Sequence, residues 1–198
     1  MEARPDVVTR CSWAEHDELR SYHDEEWGVP VHDDDRLFEL LTLEGAQAGL
    51  SWLIVVRRRN GYRTAFSGFD PNVVARYTSQ DVDRLVEDPG IIRHRGKIES
   101  VLSNANAVLE LRQVGKSLHE LAWSFVDGRP VLREWPDDDP PPASTPIASA
   151  MSKELKKLGF RFVGPTTCYA FMQAAGLVND HHPTCFRRDE ITDSENAL

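Results

Sequence analysis

Two cysteines and two histidines have the types and the spacing of a metal site. Cys11 and His23 lie near the start of the chain, and His181 and Cys185 lie near its end, in the run His-His-Pro-Thr-Cys. Two thiolates and two imidazoles complete the tetrahedral shell of Zn²⁺ and leave no open position. The four residues therefore predict one structural zinc ion that joins the two ends of the chain. Such pairs also arise by chance, and spacing alone does not decide between the two readings.

One acidic residue lies on the apolar face of a predicted helix. Leu37, Leu40 and Leu41 follow helical spacing, and Glu44 continues the same face. A carboxylate on a buried face is costly unless it is paired or used, so Glu44 is a candidate catalytic residue. The alternative is that the helix ends there and that Glu44 turns to solvent.

Aromatic residues surround these candidates in the sequence. Trp13 and Tyr22 lie between the members of the first Cys/His pair, and Trp27 follows it. Trp52 follows Glu44. Rings and one carboxylate suit a flat, cationic heterocycle, because the rings stack on it and the carboxylate accepts its N–H groups. We therefore predict a substrate pocket lined by these aromatics, although most aromatics in a helical protein belong to the core.

The elements that must position these residues are helices. Apolar residues recur at helical spacing, and Thr78 with Asp81 and Ser117 with Glu120 have the pattern of capping boxes at helix starts. The apolar run at 160–163 also allows a strand, for which no pairing partner is evident. A loop rich in Pro and Asp is predicted at 136–146. The pattern as a whole predicts an all-α protein.

Two predicted helices at about 79–107 are joined by a turn that contains Gly90 and is followed by the basic run at 93–97. Backbone N–H groups in such a turn, with cations beside them, can bind a phosphate. The segment therefore has the pattern of a helix-hairpin-helix motif, which holds the DNA backbone without reading its sequence. The alternative is an ordinary pair of packed helices.

Length and composition limit the class of protein. The 198 residues, 40% of them hydrophobic, suit one domain, which we place at 10–186 with flexible tails at 1–9 and 187–198. No apolar run reaches the ~20 residues of a membrane span. The charged start of the chain does not resemble a signal peptide. We therefore expect no membrane partner and a cytoplasmic location. Three cysteines make no disulfide framework.

The net charge of −9 argues, taken alone, against nucleic acid as a partner. The distribution of charge is more permissive, because basic residues collect at 57–59 and at 93–97. Both runs are also typical of solvated helix ends. A basic face on an acidic body is therefore compatible with the composition.

Seven runs of the chain form a specific pattern. They are Cys-Ser-Trp at 11–13, Tyr-His-Asp-Glu-Glu-Trp-Gly-Val-Pro at 22–30, Leu-Glu-Gly-Ala-Gln-Ala-Gly-Leu-Ser-Trp at 43–52, Gly-Ile-Ile-Arg-His-Arg-Gly-Lys-Ile at 90–98, Trp-Ser-Phe-Val at 123–126, Gly-Phe-Arg-Phe-Val-Gly at 159–164 and Leu-Val-Asn-Asp-His at 177–181. In these runs, which span about 10–186, the chain closely resembles the DNA-3-methyladenine glycosylase I family of bacterial base-excision repair enzymes.

The resemblance implies an all-α fold of the helix-hairpin-helix glycosylase type, with a zinc site that joins the N- and C-terminal segments. It implies that one structural Zn²⁺ is bound by Cys11, His23, His181 and Cys185, with His181 preferred over His182. It implies that Glu44 contacts the damaged base within a pocket formed by Tyr22, Trp52 and Trp13, beside Trp27. The residues implied at the DNA backbone lie in the hairpin and are Gly90, Arg93, Arg95, Gly96 and Lys97.

The implied activity is that of a monofunctional glycosylase acting on double-stranded DNA that contains alkylated adenine. A 3-methylated adenine is cationic, so its glycosidic bond is already weakened once the base is flipped out of the duplex. Many hairpin glycosylases carry an aspartate beyond the hairpin, but the DNA-3-methyladenine glycosylase I family characteristically lacks it. This chain has Ser103, Asn104 and Asn106 along that helix and no acidic residue among them, which fits the family. We expect a monomer.

Two other functions compete with this interpretation. A zinc-clasped module that binds distorted DNA without cutting a bond would need no carboxylate at Glu44. A zinc hydrolase of small molecules would need an open position on the metal, which two cysteines and two histidines do not leave.

Overall fold

The structure, a computed structural model, describes residues 8–134 and 141–196. Within these ranges the chain is mostly helical, as predicted. The α-helices are α1 (Asp17–Glu25), α2 (Asp34–Gln47), α3 (Trp52–Ala65), α4 (Pro71–Val74), α5 (Ser79–Val86), α6 (Arg95–Gln113), α7 (Leu118–Trp123), α8 (Pro146–Lys157), α9 (Pro165–Ala174) and α10 (Phe186–Asn196). Short 3₁₀ turns lie at Ser67–Phe69 and Ser124–Val126.

Several helices begin where the sequence places a capping side chain. The two predicted capping boxes are confirmed, with Thr78 and Asp81 at the start of α5 and Ser117 and Glu120 at the start of α7. Helix α2 begins after Asp33, whose carboxylate accepts a hydrogen bond from the Arg36 N–H at 2.8 Å. These side chains satisfy N–H groups that a helix start leaves without a partner.

Helix α2 forms the centre of the molecule. Every residue from Leu37 to Ala46 is buried, and the helix packs against α3, α6, α7 and α9. Its apolar side chains, among them Phe38 and Leu41, are almost fully removed from water. A polar group in the second half of α2 is therefore held inside the protein by the packing of four neighbouring helices.

The structure adds a feature that the all-α prediction missed. Two short strands, β1 (Val131–Leu132) and β2 (Val178–Asn179), pair in parallel. Two-residue strands have too few side chains to show an alternating pattern. The run at 160–163 is not a strand, because Phe162 has the left-handed backbone angle φ of 56°.

The two ends of the described chain meet. The N–H of Phe186 donates to the carbonyl of Thr9 at 3.1 Å. Much of the segment after residue 186, for which the sequence predicted a flexible tail, forms α10 (Phe186–Asn196), and Ile191 of this helix is buried. Residues 1–7 of the other predicted tail, and residues 136–140 of the predicted loop, lie outside the described ranges. Within those ranges no helix is long and apolar enough to cross a membrane.

Candidate active site and metal cluster

The four predicted metal ligands, which we call the Cys/His cluster, come from separate parts of the chain and meet at one point. Their ligand atoms all lie within 4.8 Å of one another, and all four residues are buried. Cys185 Sγ lies 3.4 Å from both His23 Nε2 and His181 Nδ1. Cys11 Sγ lies 3.7 Å from His181 Nδ1. The arrangement could hold one metal ion.

Each histidine of the cluster has a partner on its outer ring nitrogen. His23 Nδ1 lies 2.7 Å from the Asp24 carboxylate, which Arg10 in turn binds at 2.8 Å. His181 Nε2 lies 3.0 Å from the Trp27 carbonyl oxygen. Such outer contacts fix the ring orientation, so that the other nitrogen of each ring faces the cluster.

The thiols of the cluster are not equivalent. Hydrogen bonds from Cys11, His181 and His23 lower the pKa of the Cys185 thiol. The hydrogen bond to Cys185, together with burial, raises the pKa of Cys11. One thiolate is thus stabilised by its neighbours, and thiolate is the form that binds metals.

The four predicted aromatic residues form a wall that begins at the Cys/His cluster. The Trp27 ring lies 4.6 Å from the His181 ring and 5.0 Å from the Trp13 ring, measured between centroids. Trp13 is followed by Tyr22 at 6.2 Å, and Tyr22 by Trp52 at 5.3 Å. A continuous series of ring contacts, which we call the aromatic wall, therefore extends from the Cys/His cluster to Trp52.

The aromatic wall faces a cavity of about 790 Å³. We call it the aromatic cavity. The side chains of all four predicted aromatics line it, and so does Glu44. The structure thus brings together the substrate-binding and catalytic residues that the sequence predicted separately.

Glu44 is 5% exposed. Helix α2 continues past it to Gln47, so the alternative in which the helix ends and Glu44 turns to solvent is wrong. Burial raises the pKa of Glu44 to about 8. None of the hydrogen bonds among the described residues involves its carboxyl group. A ligand that carries positive charge or N–H donors would relieve this cost.

Two further polar atoms of the cavity wall lack partners. The Tyr22 hydroxyl and the Trp52 indole Nε1 are buried, and neither has a hydrogen-bond partner in the described part of the chain. Buried polar atoms are normally paired, and an exception calls for an explanation. Both residues line the same cavity as Glu44.

The cavity lining also contains Tyr169, Gln173 and Asp180, which the sequence analysis did not single out. Asp180 is 1% exposed and accepts hydrogen bonds from the Tyr169 hydroxyl at 2.7 Å and from Arg133 at 3.1 Å. The Gln173 amide donates to the same carboxylate at 2.5 Å. The available signal was the position of Asp180 next to His181, one of the four predicted metal ligands. Its paired carboxylate contrasts with that of Glu44.

The model of the methyladenine glycosylase family matches residues 13–188. The chain belongs to this family. DNA-3-methyladenine glycosylase 1 of Escherichia coli K12 is 51% identical over 179 residues, which are 90% of this chain and 96% of that one. The corresponding glycosylase of Haemophilus influenzae is 46% identical, over 90% of this chain and 97% of that one. The predicted family is confirmed.

Solved structures of related glycosylases have the same fold. A crystal structure of 3-methyladenine DNA glycosylase I superimposes with a TM-score of 0.88 at 51% identity, covering 90% of this chain and 98% of that one. A Staphylococcus aureus 3-methyladenine DNA glycosylase I, solved to explain 3-methyladenine recognition, has a TM-score of 0.87 at 36% identity, covering 91% and 97%.

In this family member, the predicted hairpin consists of α5, the turn at 87–94 and α6. The turn is fixed to α3: a Cβ on Gly61 would lie 2.2 Å from the Gly90 carbonyl oxygen, so the two backbones touch. The Gly90 N–H donates to the Asp88 carboxylate at 2.7 Å. This N–H is therefore paired within the turn, and the contact of Gly90 with the DNA backbone stays a prediction.

The basic residues of the hairpin differ from one another. Arg93 is exposed and forms no ion pair with a described residue. Arg95 is exposed and pairs with Asp83. Gly96 lies in the first turn of α6 and is half-buried. Lys97 is buried, and its ammonium donates to two backbone carbonyls of the neighbouring chain segment. The Lys97 ammonium is therefore bound within the protein, unlike the exposed guanidinium groups of Arg93 and Arg95. Its contact with the DNA backbone stays a prediction.

The polar residues that follow the hairpin serve the fold of this glycosylase. Asn104 accepts a hydrogen bond from the Arg161 N–H at 2.8 Å and donates to its carbonyl at 3.2 Å. Ser103 and Asn106 donate to carbonyls of their own helix. None of the three lines the aromatic cavity.

Proposed function

We propose that this protein is a DNA-3-methyladenine glycosylase, which excises 3-methyladenine from alkylated DNA by hydrolysing the N-glycosidic bond. The observation that carries the proposal is Glu44, a buried carboxyl without a partner that faces an aromatic cavity. The close relatives named for this activity support it. The non-catalytic DNA binder has no observation in its favour.

The first step is capture of the base. A damaged base must leave the duplex before any group can reach its glycosidic bond, and the energy of unstacking has to be offset inside the protein. The rings of Trp52 and Tyr22 would stack on the flipped base, and the Tyr22 hydroxyl and Trp52 N–H would gain partners that they lack in the free protein.

Selection of the methylated base follows from the electrostatics of Glu44. Burial raises the pKa of this carboxyl to about 8, so the apolar surroundings of Glu44 favour its neutral form. A cationic base favours the carboxylate, because opposite charges attract strongly in a site with little water. Neutral adenine supplies no such charge. Glu44 would therefore discriminate by charge as well as by shape.

Bond cleavage then needs little acid catalysis. The methylated base leaves with the bonding electron pair and becomes neutral, water supplies hydroxide to the sugar carbon, and the remaining proton goes to solvent. The carboxylate of Glu44 would hold the base by its N–H groups and contribute negative potential while positive charge develops on the sugar.

The Cys/His cluster is proposed to hold one structural Zn²⁺. Zinc–sulfur distances of about 2.3 Å and zinc–nitrogen distances of about 2.0–2.1 Å, at tetrahedral angles, place sulfur and nitrogen ligands about 3.6 Å apart. Three of the four sulfur–nitrogen distances, from Cys185 to both histidines and from Cys11 to His181, are 3.4 to 3.7 Å. Cys11, His23, His181 and Cys185 would be the ligands. The ion would hold the ends of the chain together and leave no position for a substrate.

The substrate is proposed to be double-stranded DNA, held by a helix-hairpin-helix motif through its phosphates. Exposed Arg93 on the turn before α6 supports this role, and so does the sequence-independent grip that a repair enzyme needs. The monomeric state and the cytoplasmic location stay predictions.

The test is release of free base from methylated duplex DNA by the purified protein, followed by chromatography. We expect 3-methyladenine to be released while 7-methylguanine stays in the DNA. Glu44→Gln should keep DNA binding and slow base release about 100- to 1,000-fold. Release by this variant at the wild-type rate would reject the role of Glu44. No release by the folded wild type would reject the glycosylase.

A further inference from the structure

Lys97 connects the hairpin to the end of α2. Its ammonium donates to the carbonyl oxygens of Ala46 at 2.8 Å and Ala48 at 2.7 Å. The last carbonyls of a helix have no partner within the helix, and a cation there also complements the helix dipole. Lys97 therefore closes α2 about one turn beyond Glu44.

The segment that Lys97 holds joins two residues of the aromatic cavity. Residues 48–51, which we call the α2–α3 loop, run from the end of the helix that carries Glu44 to the start of α3 at Trp52. All four loop residues are exposed, and Gly49 has a φ of 78°. Besides Lys97, one other described side chain donates to a carbonyl of this loop: the Gln47 amide binds the Leu50 carbonyl at 3.1 Å.

The surroundings of Lys97 do not suit a phosphate contact. Lys97 is only 9% exposed, whereas Arg93 and Arg95 of the same hairpin are exposed. It forms no ion pair with a described carboxylate, and burial lowers the pKa of its ammonium group. A buried ammonium is costly, so its two hydrogen bonds to carbonyls must be part of what keeps it there.

A second contact from α6 supports the same end of α2. Asn104 holds the backbone of Arg161 from both sides, at 2.8 and 3.2 Å. The next residue, Phe162, has a φ of 56° and packs against α2 at Gly45, where an added Cβ would lie 3.4 Å from the Phe162 Cβ. Helix α6 thus fixes the residue that follows Glu44 through Asn104, and the helix end through Lys97.

We propose that Lys97 is a positioning residue, which couples the hairpin on the DNA backbone to the base-binding cavity by fixing the end of α2 and the α2–α3 loop. Glu44 and Trp52 would then have their correct separation when the hairpin is seated on DNA. The inference rests on the proposed role of the aromatic cavity.

The test compares Lys97→Met with two other variants of the full-length chain. Lys116→Met removes an exposed lysine outside the site, and Arg93→Gln removes an exposed cation from the hairpin. Two quantities are measured on methylated duplex DNA: the rate of base release at saturating protein, and the dependence of the dissociation constant on salt concentration. Each lost phosphate contact lowers the slope of log K against log salt by about 0.9.

We expect Lys97→Met to slow base release about 10- to 100-fold, because misplacement of a site by about 1 Å has effects of this size. Its salt slope should equal that of the wild type. Arg93→Gln should lower the slope, and Lys116→Met should leave both quantities unchanged. Wild-type release with a lowered slope in Lys97→Met would make Lys97 a phosphate contact and overturn the proposal. Wild-type values of both would overturn it as well.

A measurement without DNA separates positioning from phosphate binding. Calorimetric titration with free 3-methyladenine should show weaker binding by Lys97→Met than by the wild type, and unchanged binding by Arg93→Gln. If Lys97→Met does not fold, Lys97→Arg, which keeps N–H donors but not the shape of the ammonium, takes its place. Wild-type release by Glu44→Gln would reject the proposed role of Glu44, whereas wild-type release and base binding by the Lys97 variants would reject only the positioning role.

Discussion

Two sets of buried polar side chains, those of the Cys/His cluster and those of the aromatic cavity, lie along one aromatic wall. They differ in whether their polar atoms have hydrogen-bond partners. In the Cys/His cluster the ligand atoms face one another, and the outer nitrogens of His23 and His181 have their own partners. In the aromatic cavity, the Tyr22 hydroxyl and the Trp52 N–H have no hydrogen-bond partner among the described residues. The Glu44 carboxyl likewise takes part in no hydrogen bond among those residues, and its raised pKa is caused by burial. Because unpaired buried groups cost free energy, the first group is suited to hold the fold and the second to bind a ligand.

The largest effect should come from the paired group. Cys185→Ala removes one ligand of the Cys/His cluster and leaves the other three buried without it. We expect zinc content to fall from about one ion per chain, and the free energy of unfolding to fall by about 4 kcal/mol or more. Elemental analysis and urea denaturation measure the two quantities.

Cys168→Ala is the matched control for this change. Cys168 is also a buried cysteine, but it lies in α9 and outside the cluster. This variant should keep its zinc and lose only the small free energy of a thiol in the core. Equal zinc content in both variants would contradict the proposed structural role of the Cys/His cluster. It would also contradict the contrast drawn between that cluster and the aromatic cavity.

The next effect concerns the pH dependence of Glu44. Its pKa of about 8 in the folded protein lies above the ordinary value of 4.5. The unfolded chain therefore loses this proton first, and the wild type loses stability as pH rises from about 4.5 to 8. Glu44→Gln cannot ionise, so its stability relative to the wild type should increase over this range, by on the order of a few kcal/mol.

Urea denaturation of both proteins at pH 5 and pH 8 measures this difference, and the titration of all other groups cancels in it. Saturation with 3-methyladenine should reduce the difference if the bound base supplies the missing partner. A difference that is independent of pH would show that Glu44 is already paired or solvated in the free protein.

The smallest effect should come from Tyr22→Phe. The variant loses a hydroxyl that has no partner in the free protein, so its stability should stay the same or rise slightly. Its affinity for 3-methyladenine should fall about 5-fold, because one hydrogen bond to the ligand is worth about 1 kcal/mol. Thermal unfolding and calorimetric titration of the base test the two halves of this prediction.

Thr42→Val is the control for Tyr22→Phe. The Thr42 hydroxyl is buried without a partner, like that of Tyr22, but it does not line the aromatic cavity. This variant should match Tyr22→Phe in stability and the wild type in base affinity. A loss of affinity in both variants would mean that unpaired buried atoms in this protein do not mark the ligand site.

Much of the fold could be predicted because its signals are local. Capping boxes such as that of Thr78 and Asp81 depend on residues three positions apart, and the structure confirms them. Helical spacing likewise placed Glu44 on the buried face of α2. The pairing of β1 with β2 and the packing of α10 depend on contacts between segments that are distant in the sequence. Segments this short show no periodic pattern of apolar residues from which such contacts could be predicted.

The site shows the same division. Residue types were sufficient to nominate the Cys/His cluster and the aromatics, since their chemistry is unusual. The direction of a side chain was not predictable: Lys97 lies in a basic run but turns toward the Ala46 and Ala48 carbonyls. Asp180 and Tyr169 were missed because their hydrogen bond forms only when α9 and β2 pack together.

The separation of Cys11 from His181 along the chain, 170 residues, has a consequence for the order of folding. Contacts between distant residues form slowly, because the intervening chain must first be ordered. Once the helices have packed, the two pairs of ligands are neighbours, and closing the cluster requires little further ordering. We therefore expect metal uptake to be a late kinetic phase in stopped-flow refolding, after the helical signal has formed, and uptake before that signal would contradict this order. The metal would then bind only to chains whose helices have already packed.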